Sequence, residues 1–194
     1  MAEVLAFVEA AVPEALRFQV RRLQDAAFGD PGRGDGPVVE PGPVHDPALH
    51  PVSMLLVEDS VVLAALDVLG TRMRHAGRVW SVTGLSTVVT EPARRRQGLG
   101  RELVTAARSA MRLSGADLAL FTADEDLVGF YLGCGFEVLD GAVVVGGTVE
   151  DPLRSDGLGK VTLASLFSDQ ARACAEDFTG TDLLLYPGAI DRLW

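Results

Sequence analysis

The segment 88–101, VVTEPARRRQGLGR, constrains the fold more than any other part of the chain. It starts with β-branched residues that favour a strand, crosses a proline and three arginines, and reaches Gly98 and Gly100 where a helical pattern begins. The first amides of a helix lack intrahelical acceptors and lie at the positive end of its dipole. Glycines let a ligand approach the backbone, and arginine forks suit phosphate oxygens. The segment therefore predicts a strand–turn–helix unit that binds a pyrophosphate.

Length and charge limit the classes of partner. The chain has 194 residues, of which 48% are hydrophobic, so we expect one globular domain over residues 1–194. Its formal net charge of −10 disfavours nucleic acid and anionic membranes and suits a cationic ligand. We find no apolar run of membrane-spanning length and no signal peptide pattern. Cys134 and Cys174 lie far apart and outside any metal-ligand spacing, which predicts a reduced, cytoplasmic protein without a metal site.

The hydrophobic pattern predicts an antiparallel meander that leads into a βαβ unit. Apolar alternation indicates strands, and apolar residues three and four apart indicate helices. We expect the two strands that flank the helix after Gly98 to be parallel. Gly84 interrupts one strand and predicts a bulge or a close approach to the backbone. The expected elements are helix 14–28, strands 54–57, 61–69 and 78–90, helix 98–113, strand 116–122, helix 124–132, strands 136–139, 142–149 and 158–167, and helix 169–178.

Residues 30–53 carry many glycines and prolines and no hydrophobic period, which indicates a disordered insert or a lid over a functional site. His45 and His50 lie at its end without an evident third ligand, so we interpret them as solvated loop residues. Asp46, between them, is a candidate contact to a substrate. Asp67 interrupts a predicted strand and is assigned to its solvated face, with a position facing a cleft as the alternative.

Two motifs together resemble the GNAT superfamily of acetyl-CoA-dependent N-acetyltransferases. The family signature Arg/Gln-x-x-Gly-x-Gly/Ala reads RRQGLG over 95–100 and follows Pro92. A family pair of an aromatic residue and a tyrosine, followed by Gly-Phe, reads FYLGCGF over 130–136. The resemblance covers residues 54–140 best. It implies an α/β fold in which a mixed, mostly antiparallel sheet splays open at its central parallel strand pair and is flanked by helices.

The resemblance also implies that acetyl-CoA is the acyl donor. Its pantetheine would pair with the exposed edge of the strand, and its pyrophosphate would contact the amides at the helix N-terminus. Tyr131 matches the tyrosine that protonates the leaving thiolate, with a packed aromatic residue as the alternative. Cys134 is interpreted as a small residue in a tight helix end. The residues that match the donor site are Val88, Val89, Thr90, Arg95, Arg96, Gln97, Gly98, Leu99, Gly100 and Arg101.

Both ends of the chain are similar to the aminoglycoside 2′-N-acetyltransferase branch of this superfamily. Ala27 and Phe28 close the first helix, and an acidic residue and a tryptophan, Asp191 and Trp194, lie at the end of the chain. The resemblance implies that the segment 179–194 is docked at the active site. There Asp191 and the terminal carboxylate of Trp194 would attract a substrate ammonium, because a chain terminus is ionised at neutral pH.

Ser86 is the main departure from that branch, which has a glutamate there to deprotonate the amine through water. A serine holds a water but takes no proton, so Asp67, Asp191 or the Trp194 carboxylate would substitute as the base. We therefore expect direct transfer of an acetyl group to a primary amine of a small cation, with aminoglycoside-like compounds as one class. A sensor or inactive partner that binds acyl-CoA is the alternative, and the sequence leaves a homodimer open.

Overall fold

A computed structural model describes residues 1–29 and 43–194, whose strands form one large and one small sheet. Within these ranges, no helix has both the length and the apolar character that crossing a membrane requires. The α-helices are α1 (Glu14–Phe28), α2 (Leu99–Leu113), α3 (Val128–Leu132) and α4 (Asp169–Ala173). The strands are β1 (Glu3–Val8), β2 (Val52–Glu58), β3 (Val61–His75), β4 (Arg78–Thr90), β5 (Leu118–Asp124), β6 (Glu137–Val138), β7 (Val143–Gly147), β8 (Pro152–Arg154), β9 (Lys160–Leu166) and β10 (Asp182–Leu184). Of the predicted lid, residues 30–42 lie outside the described residues.

The larger sheet has seven strands in the order β1-β2-β3-β4-β5-β9-β6. Its neighbouring strands are antiparallel except β4 and β5, which run parallel and are joined in the sequence through α2. This topology confirms the predicted mixed, mostly antiparallel sheet with a central parallel pair. In the smaller sheet, β7 pairs parallel with β10 and antiparallel with β8.

The hairpin of β3 and β4 is longer than the sequence pattern predicts. The prediction ends β3 at Leu69, whereas the strand continues and stays paired with β4 as far as His75 and Arg78. Ala76 and Gly77 form the turn between the two strands, and both residues have positive φ, which suits a two-residue hairpin turn. The extra length is stabilised through burial of Met73 and Trp80 against the smaller sheet. A local pattern does not reveal this distant cover.

Alternation along the strands assigns each layer to one face of the larger sheet. Successive side chains of a strand point to opposite faces, so Leu56 and Phe121 join a cluster with α2 and α3. Their neighbours face the other way: Leu55 packs in a cluster with α1, and Leu120 packs in a cluster with the smaller sheet. The α1 face is therefore shared by α1 and the smaller sheet, and the α2 face is covered by α2 and α3.

Candidate active site

Strands β4 and β5 pair with each other over a short length only. Their register holds two pairs, Val82 with Leu118 and Thr83 with Ala119. Beyond this point β4 stays paired with β3 up to Thr90, and β5 stays paired with β9 up to Asp124. The two strands therefore part and leave a gap, which we call the β4–β5 gap. Backbone groups along the β4 side of this gap are available to an extended ligand.

A β-bulge interrupts β4 inside this gap. The register with β3 shifts between Ala65 and Asp67, so two β4 residues, Thr87 and Val88, stand opposite one residue of β3. Thr87 has a φ of 49°, a left-handed conformation that is uncommon for a β-branched residue. Bulges bend a strand and change the direction of neighbouring backbone groups. The bulge lies beyond Gly84, the position at which the sequence predicted either a bulge or a close approach.

The two glycines of the signature serve different purposes. Gly98 precedes α2 with a φ of 85°, and a Cβ there would meet no atom of residues 1–29 and 43–194 within 4 Å. The backbone conformation therefore requires the glycine, and the surface is open with respect to these residues. Gly100 instead allows close packing, since its Cβ would lie 2.9 Å from Thr90 Oγ1 and 3.6 Å from Phe130 Cζ. The first turn of α2 is thus seated on the end of β4, and its amides face the mouth of the β4–β5 gap.

The side chains predicted to bind phosphate differ in whether they already make hydrogen bonds within the protein. Arg95, Arg96 and Arg101 are exposed beside the first turn of α2. Gln97 accepts a hydrogen bond from Arg94 Nε at 2.9 Å, so its side chain is partly committed within the protein. Exposed guanidinium groups around open amides make a surface that attracts anions.

Tyr131 lies on α3 within the aromatic core of the α2 face. Its ring is buried and packs edge to face against Phe121, with the ring centroids 4.9 Å apart. Burial raises the pKa of Tyr131 to about 12. The phenol therefore keeps its proton at neutral pH, as a proton donor must. Burial also raises the pKa of the Cys134 thiol, so this cysteine is a packed residue with little thiolate character.

The profile of the Acetyltransferase (GNAT) domain family matches residues 13–139, which is more than half of the chain. The chain belongs to the GNAT acetyltransferase family. Proteins with this fold use acyl-CoA donors and act on small-molecule or protein amines, so the chain is an acyltransferase by family. No match was found among curated protein sequences.

Solved structures show the same GNAT fold at low sequence identity. An acyl-CoA N-acyltransferase from Pseudomonas aeruginosa is 18% identical and has a TM-score of 0.55, over 84% of this chain and 99% of its own. Escherichia coli ElaA is 13% identical with a TM-score of 0.56, over 84% and 99%. A Trypanosoma brucei acetyltransferase is 15% identical with a TM-score of 0.53, over 71% and 93%. At such identities the likeness concerns the fold alone.

The residues of this GNAT chain fit an acyl-CoA donor. The β4 edge offers hydrogen-bonding groups beyond Thr83, the surface at Gly98 is open, and Arg95 and Arg96 are exposed next to it. These features follow one another along the molecule, because the turn from β4 to α2 places the helix N-terminus at the end of the same strand. The individual contacts of Val88 to Arg101 with the donor stay predictions.

Asp67 lies on the α1 face, directly across from Ser86 in the β3–β4 register. The prediction of a solvated side chain was wrong, because Asp67 is only 3% exposed. Three side chains donate hydrogen bonds to its carboxylate, namely Ser53 Oγ at 2.5 Å, Thr87 Oγ1 at 2.6 Å and Gln24 Nε2 at 3.3 Å. Asp67 thus holds the bulge residue Thr87 and places a carboxylate beside Ser86.

His45 joins Asp67 to Asp191. The interpretation as a solvated histidine was wrong: it is 5% exposed, with Nδ1 2.5 Å from Asp191 Oδ1 and Nε2 3.3 Å from Asp67 Oδ2. Burial by itself lowers the pKa of His45, but the hydrogen bond with Asp191 and the charge of the nearby Asp67 carboxylate raise that pKa to about 10. The contact of Nε2 with Asp67 is an ion pair without hydrogen-bond geometry. At neutral pH an imidazolium therefore bridges two buried carboxylates. His50, by contrast, is exposed.

The residues predicted to contact the substrate lie around this bridge. Asp191 is 7% exposed, and its Oδ2 also accepts a hydrogen bond from the Asp46 amide at 2.9 Å. Asp46 is partly exposed and uses Oδ1 to accept from the Ala48 amide at 2.9 Å. Ser86 is partly exposed beside Asp67. Direct contacts of Asp46, Ser86 and Asp191 with a substrate stay predictions, and for Asp191 such a contact would compete with His45.

Trp194 enters the β4–β5 gap from the α1 face. Its Nε1 donates a hydrogen bond to the Leu120 carbonyl at 2.9 Å, and a Cβ on Gly84 would lie 2.5 Å from the same Nε1. Gly84 therefore marks a close approach, as one of the two predicted alternatives had it. A catalytic role for the carboxylate of Trp194 stays a prediction.

Sequence reasoning missed the polar residues that surround this cluster. Glu9 is buried, accepts a hydrogen bond from the Val44 amide at 2.6 Å, and has an Oε2 without a partner among the described residues. Burial raises the pKa of Glu9. With Gln24 and Asp67 it lines a cavity under α1. In the described ranges no group of three or more His, Cys, Asp or Glu side chains could hold a metal ion. These residues are isolated in the sequence, so no motif signals them.

Proposed function

We propose that this GNAT chain transfers an acetyl group from acetyl-CoA to a primary amine of a small cationic molecule. The observation that carries the proposal is the β4 edge that faces β5: beyond Thr83 it pairs with no strand among the described residues, and it leads to the N-terminus of α2 at Gly98. Such an edge followed by free amides suits a ligand with an amide-containing arm and a phosphate-bearing end. A cytoplasmic location goes with this proposal, since Cys134 and Cys174 are both free thiols.

The donor would be held by backbone more than by side chains. Val88, Val89 and Thr90 would hydrogen-bond its pantetheine arm along β4. The amides of Gly98 to Arg101 would bind its pyrophosphate at the positive end of α2, and Arg95 and Arg96 would add charge. Bound acetyl-CoA supplies an activated thioester carbonyl beside the bulge at Thr87.

Different residues of the chain would then carry out the separate steps of the transfer. A β4 amide next to the bulge stabilises charge that develops on the carbonyl oxygen. Tyr131 gives its phenolic proton to the departing sulfur as the C–S bond breaks and the amine nitrogen forms the new C–N bond. A water held by Ser86 passes the proton released from the amine to the carboxylate of Asp67, which lies opposite Ser86 in the β3–β4 register. The buried carboxylates of Asp67 and Asp191 outnumber the His45 charge between them, which favours an approaching ammonium.

The acceptor class is supported by charge and by resemblance. The net charge of −10 suits a molecule that carries several amines, and the aminoglycoside-like branch resembles this chain at both ends. We therefore put aminoglycoside-like polyamines first among the candidate acceptors. Ser86, in place of a carboxylate, favours the second candidate, a protein that binds acyl-CoA without transferring the acyl group.

Release of free thiol from acetyl-CoA tests the proposal. The protein is incubated with acetyl-CoA and a panel of aminoglycosides, linear polyamines and neutral amino acids. We expect thiol release that depends on a cationic amine, together with an acetylated product detected by mass spectrometry. Binding of acetyl-CoA without turnover of any amine would support the sensor instead. Thiol release that is the same with and without an amine would contradict transfer to nitrogen.

A further inference from the structure

The closed end of the β4–β5 gap is occupied by an aromatic side chain. Gly84 of β4 and Leu120 of β5 directly follow the last residues at which these two strands pair with each other. The indole of Trp194 contacts both residues, at the distances given above. The same side chain packs against the core of the α2 face and against the core under the smaller sheet. It therefore lies between the two strands and closes the gap at the point where their pairing ends.

The direction in which the donor would lie along β4 determines which part of the donor reaches this indole. With a pyrophosphate at the first turn of α2, the donor would run along β4 from Thr90 towards the bulge at Thr87. Its thioester would lie at the bulge, so that its acyl chain would continue towards Gly84. Gly84 lies three positions before Thr87 on β4, a distance of about 10 Å. Once the contact distance to the ring is subtracted, an extended acyl chain of up to about six carbons fits before the indole, whereas a longer chain would collide with it.

We infer that Trp194 is a specificity-determining residue: its indole forms the end of the acyl pocket and excludes acyl chains longer than about six carbons. This inference rests on the proposed use of acyl-CoA. It does not involve the carboxylate of Trp194, because the contacts that carry it are made by the ring.

The position of the indole is set by the segment 185–194. The Gly147 amide donates a hydrogen bond to the Arg192 carbonyl at 2.7 Å, and the Trp194 amide donates to the Asp191 carbonyl at 3.2 Å. The Asp191 carboxylate in turn binds His45, which lies against Asp67 of β3. His45 is thus a positioning residue, since it connects the segment that carries the indole to the strand beside β4.

Donor preference tests the role of Trp194. We would measure kcat/KM for acetyl-, hexanoyl- and decanoyl-CoA with one amine, in the wild type, Trp194→Ala and Ile190→Ala. Trp194→Ala should raise the ratio of decanoyl to acetyl efficiency by about tenfold or more, because the pocket gains room for further methylene groups. Ile190 is exposed on the same segment, so its variant should keep the wild-type ratio. An unchanged ratio in a folded Trp194→Ala protein overturns the inference.

Failure of the proposed function would be visible separately. If the wild type turns over no amine with any donor, the transferase proposal is contradicted. The acyl pocket is then tested by measuring donor binding instead of turnover. Dissociation constants of acetyl- and decanoyl-CoA would then be compared by calorimetry in the same three proteins. The inference again requires that only Trp194→Ala gains affinity for the long chain relative to acetyl-CoA.

An indole NMR signal tests the positioning role of His45. The chain has two tryptophans, so a protein with ¹⁵N-labelled indoles shows two signals, and Trp194→Phe assigns them. His45→Asn should move the Trp194 signal and raise the long-chain ratio, while the signal of Trp80, whose Nε1 donates to the His75 carbonyl, stays in place. An unmoved Trp194 signal contradicts the positioning role. If both signals collapse, Asp191→Asn replaces His45→Asn under the same criteria.

Discussion

The polar groups on the α2 side of β4 are exposed, whereas those on the α1 side are buried. On the α2 side they are helix amides and arginines, open at Gly98 and exposed at Arg95 and Arg96. On the α1 side they are carboxylates and an imidazolium, buried and bonded to one another around His45. Exposed cations stay available to a ligand at little cost, whereas buried charges are tolerated only when they are paired. The polar groups of the α2 side are therefore available to a ligand, whereas those of the α1 side hold segments of the protein together.

The largest effect is expected on the free energy of unfolding when the buried cluster of the α1 side is disrupted. Asp67→Ala should lower the free energy of unfolding by about 3–5 kcal/mol, because it leaves an imidazolium and three hydrogen-bond donors without their acceptor. Arg96→Ala on the exposed side should change it by less than about 0.5 kcal/mol. Urea unfolding of both variants measures the contrast. Similar losses in the two proteins would mean that the α1 cluster is not the stabilising element.

The next effect falls on chemistry rather than stability. Tyr131→Phe should lower turnover by about 10²-fold or more, since the departing sulfur loses its proton donor, and should leave the affinity for acetyl-CoA nearly unchanged. Tyr186→Phe is the matched control, because the chain has only these two tyrosines. Steady-state kinetics and calorimetry give the two quantities. Equal turnover in the wild type and Tyr131→Phe would remove Tyr131 from the mechanism.

The His45 bridge also predicts a dependence of stability on pH. The folded protein holds the His45 proton up to a pKa of about 10, whereas the unfolded chain releases it near 6.5. The stabilisation is complete below pH 6.5 and is lost as the pH rises towards 10, with a slope of up to about 1.4 kcal/mol per pH unit. Denaturant unfolding across this range should show the slope in the wild type and in His50→Asn. His45→Asn should lack it; a slope that persists there would assign the proton to another group.

The two sides also differ in how far the sequence could predict them. Gly98, Gly100 and the arginines are neighbours in the chain, so a strand pattern and two glycines were enough to place them at one helix N-terminus. Tyr131 was located by a second motif, and its burial follows from the aromatic residues around it. The meander and the βαβ unit of the larger sheet were predictable for the same reason, since they are local arrangements, whereas the position of β9 between β5 and β6 was not predicted.

The acceptor side was not predictable, because its partners are remote in the sequence. His45 and Asp191 are separated by 146 residues, and Asp67 receives hydrogen bonds from three different segments. A lone histidine in a Gly- and Pro-rich stretch and a lone aspartate in a strand each favour solvent, and only tertiary packing reverses that preference. Trp194 could be placed near the active site by resemblance, but not in the gap beside Gly84.

The smallest expected effect sharpens the exposed side of the comparison. Arg96→Ala should weaken acetyl-CoA binding by about 0.5–1 kcal/mol, because a single exposed guanidinium contributes little in water. The loss should shrink at high salt, where exposed charges are screened. Arg112→Ala, in the last turn of the same helix, should leave the affinity unchanged if the anion binds at the N-terminus of α2. Calorimetric titration at low and high salt measures both variants. An equal loss for Arg112→Ala would mean that the whole charge of α2 attracts the donor, and the open amides at Gly98 would then no longer be needed to explain its binding.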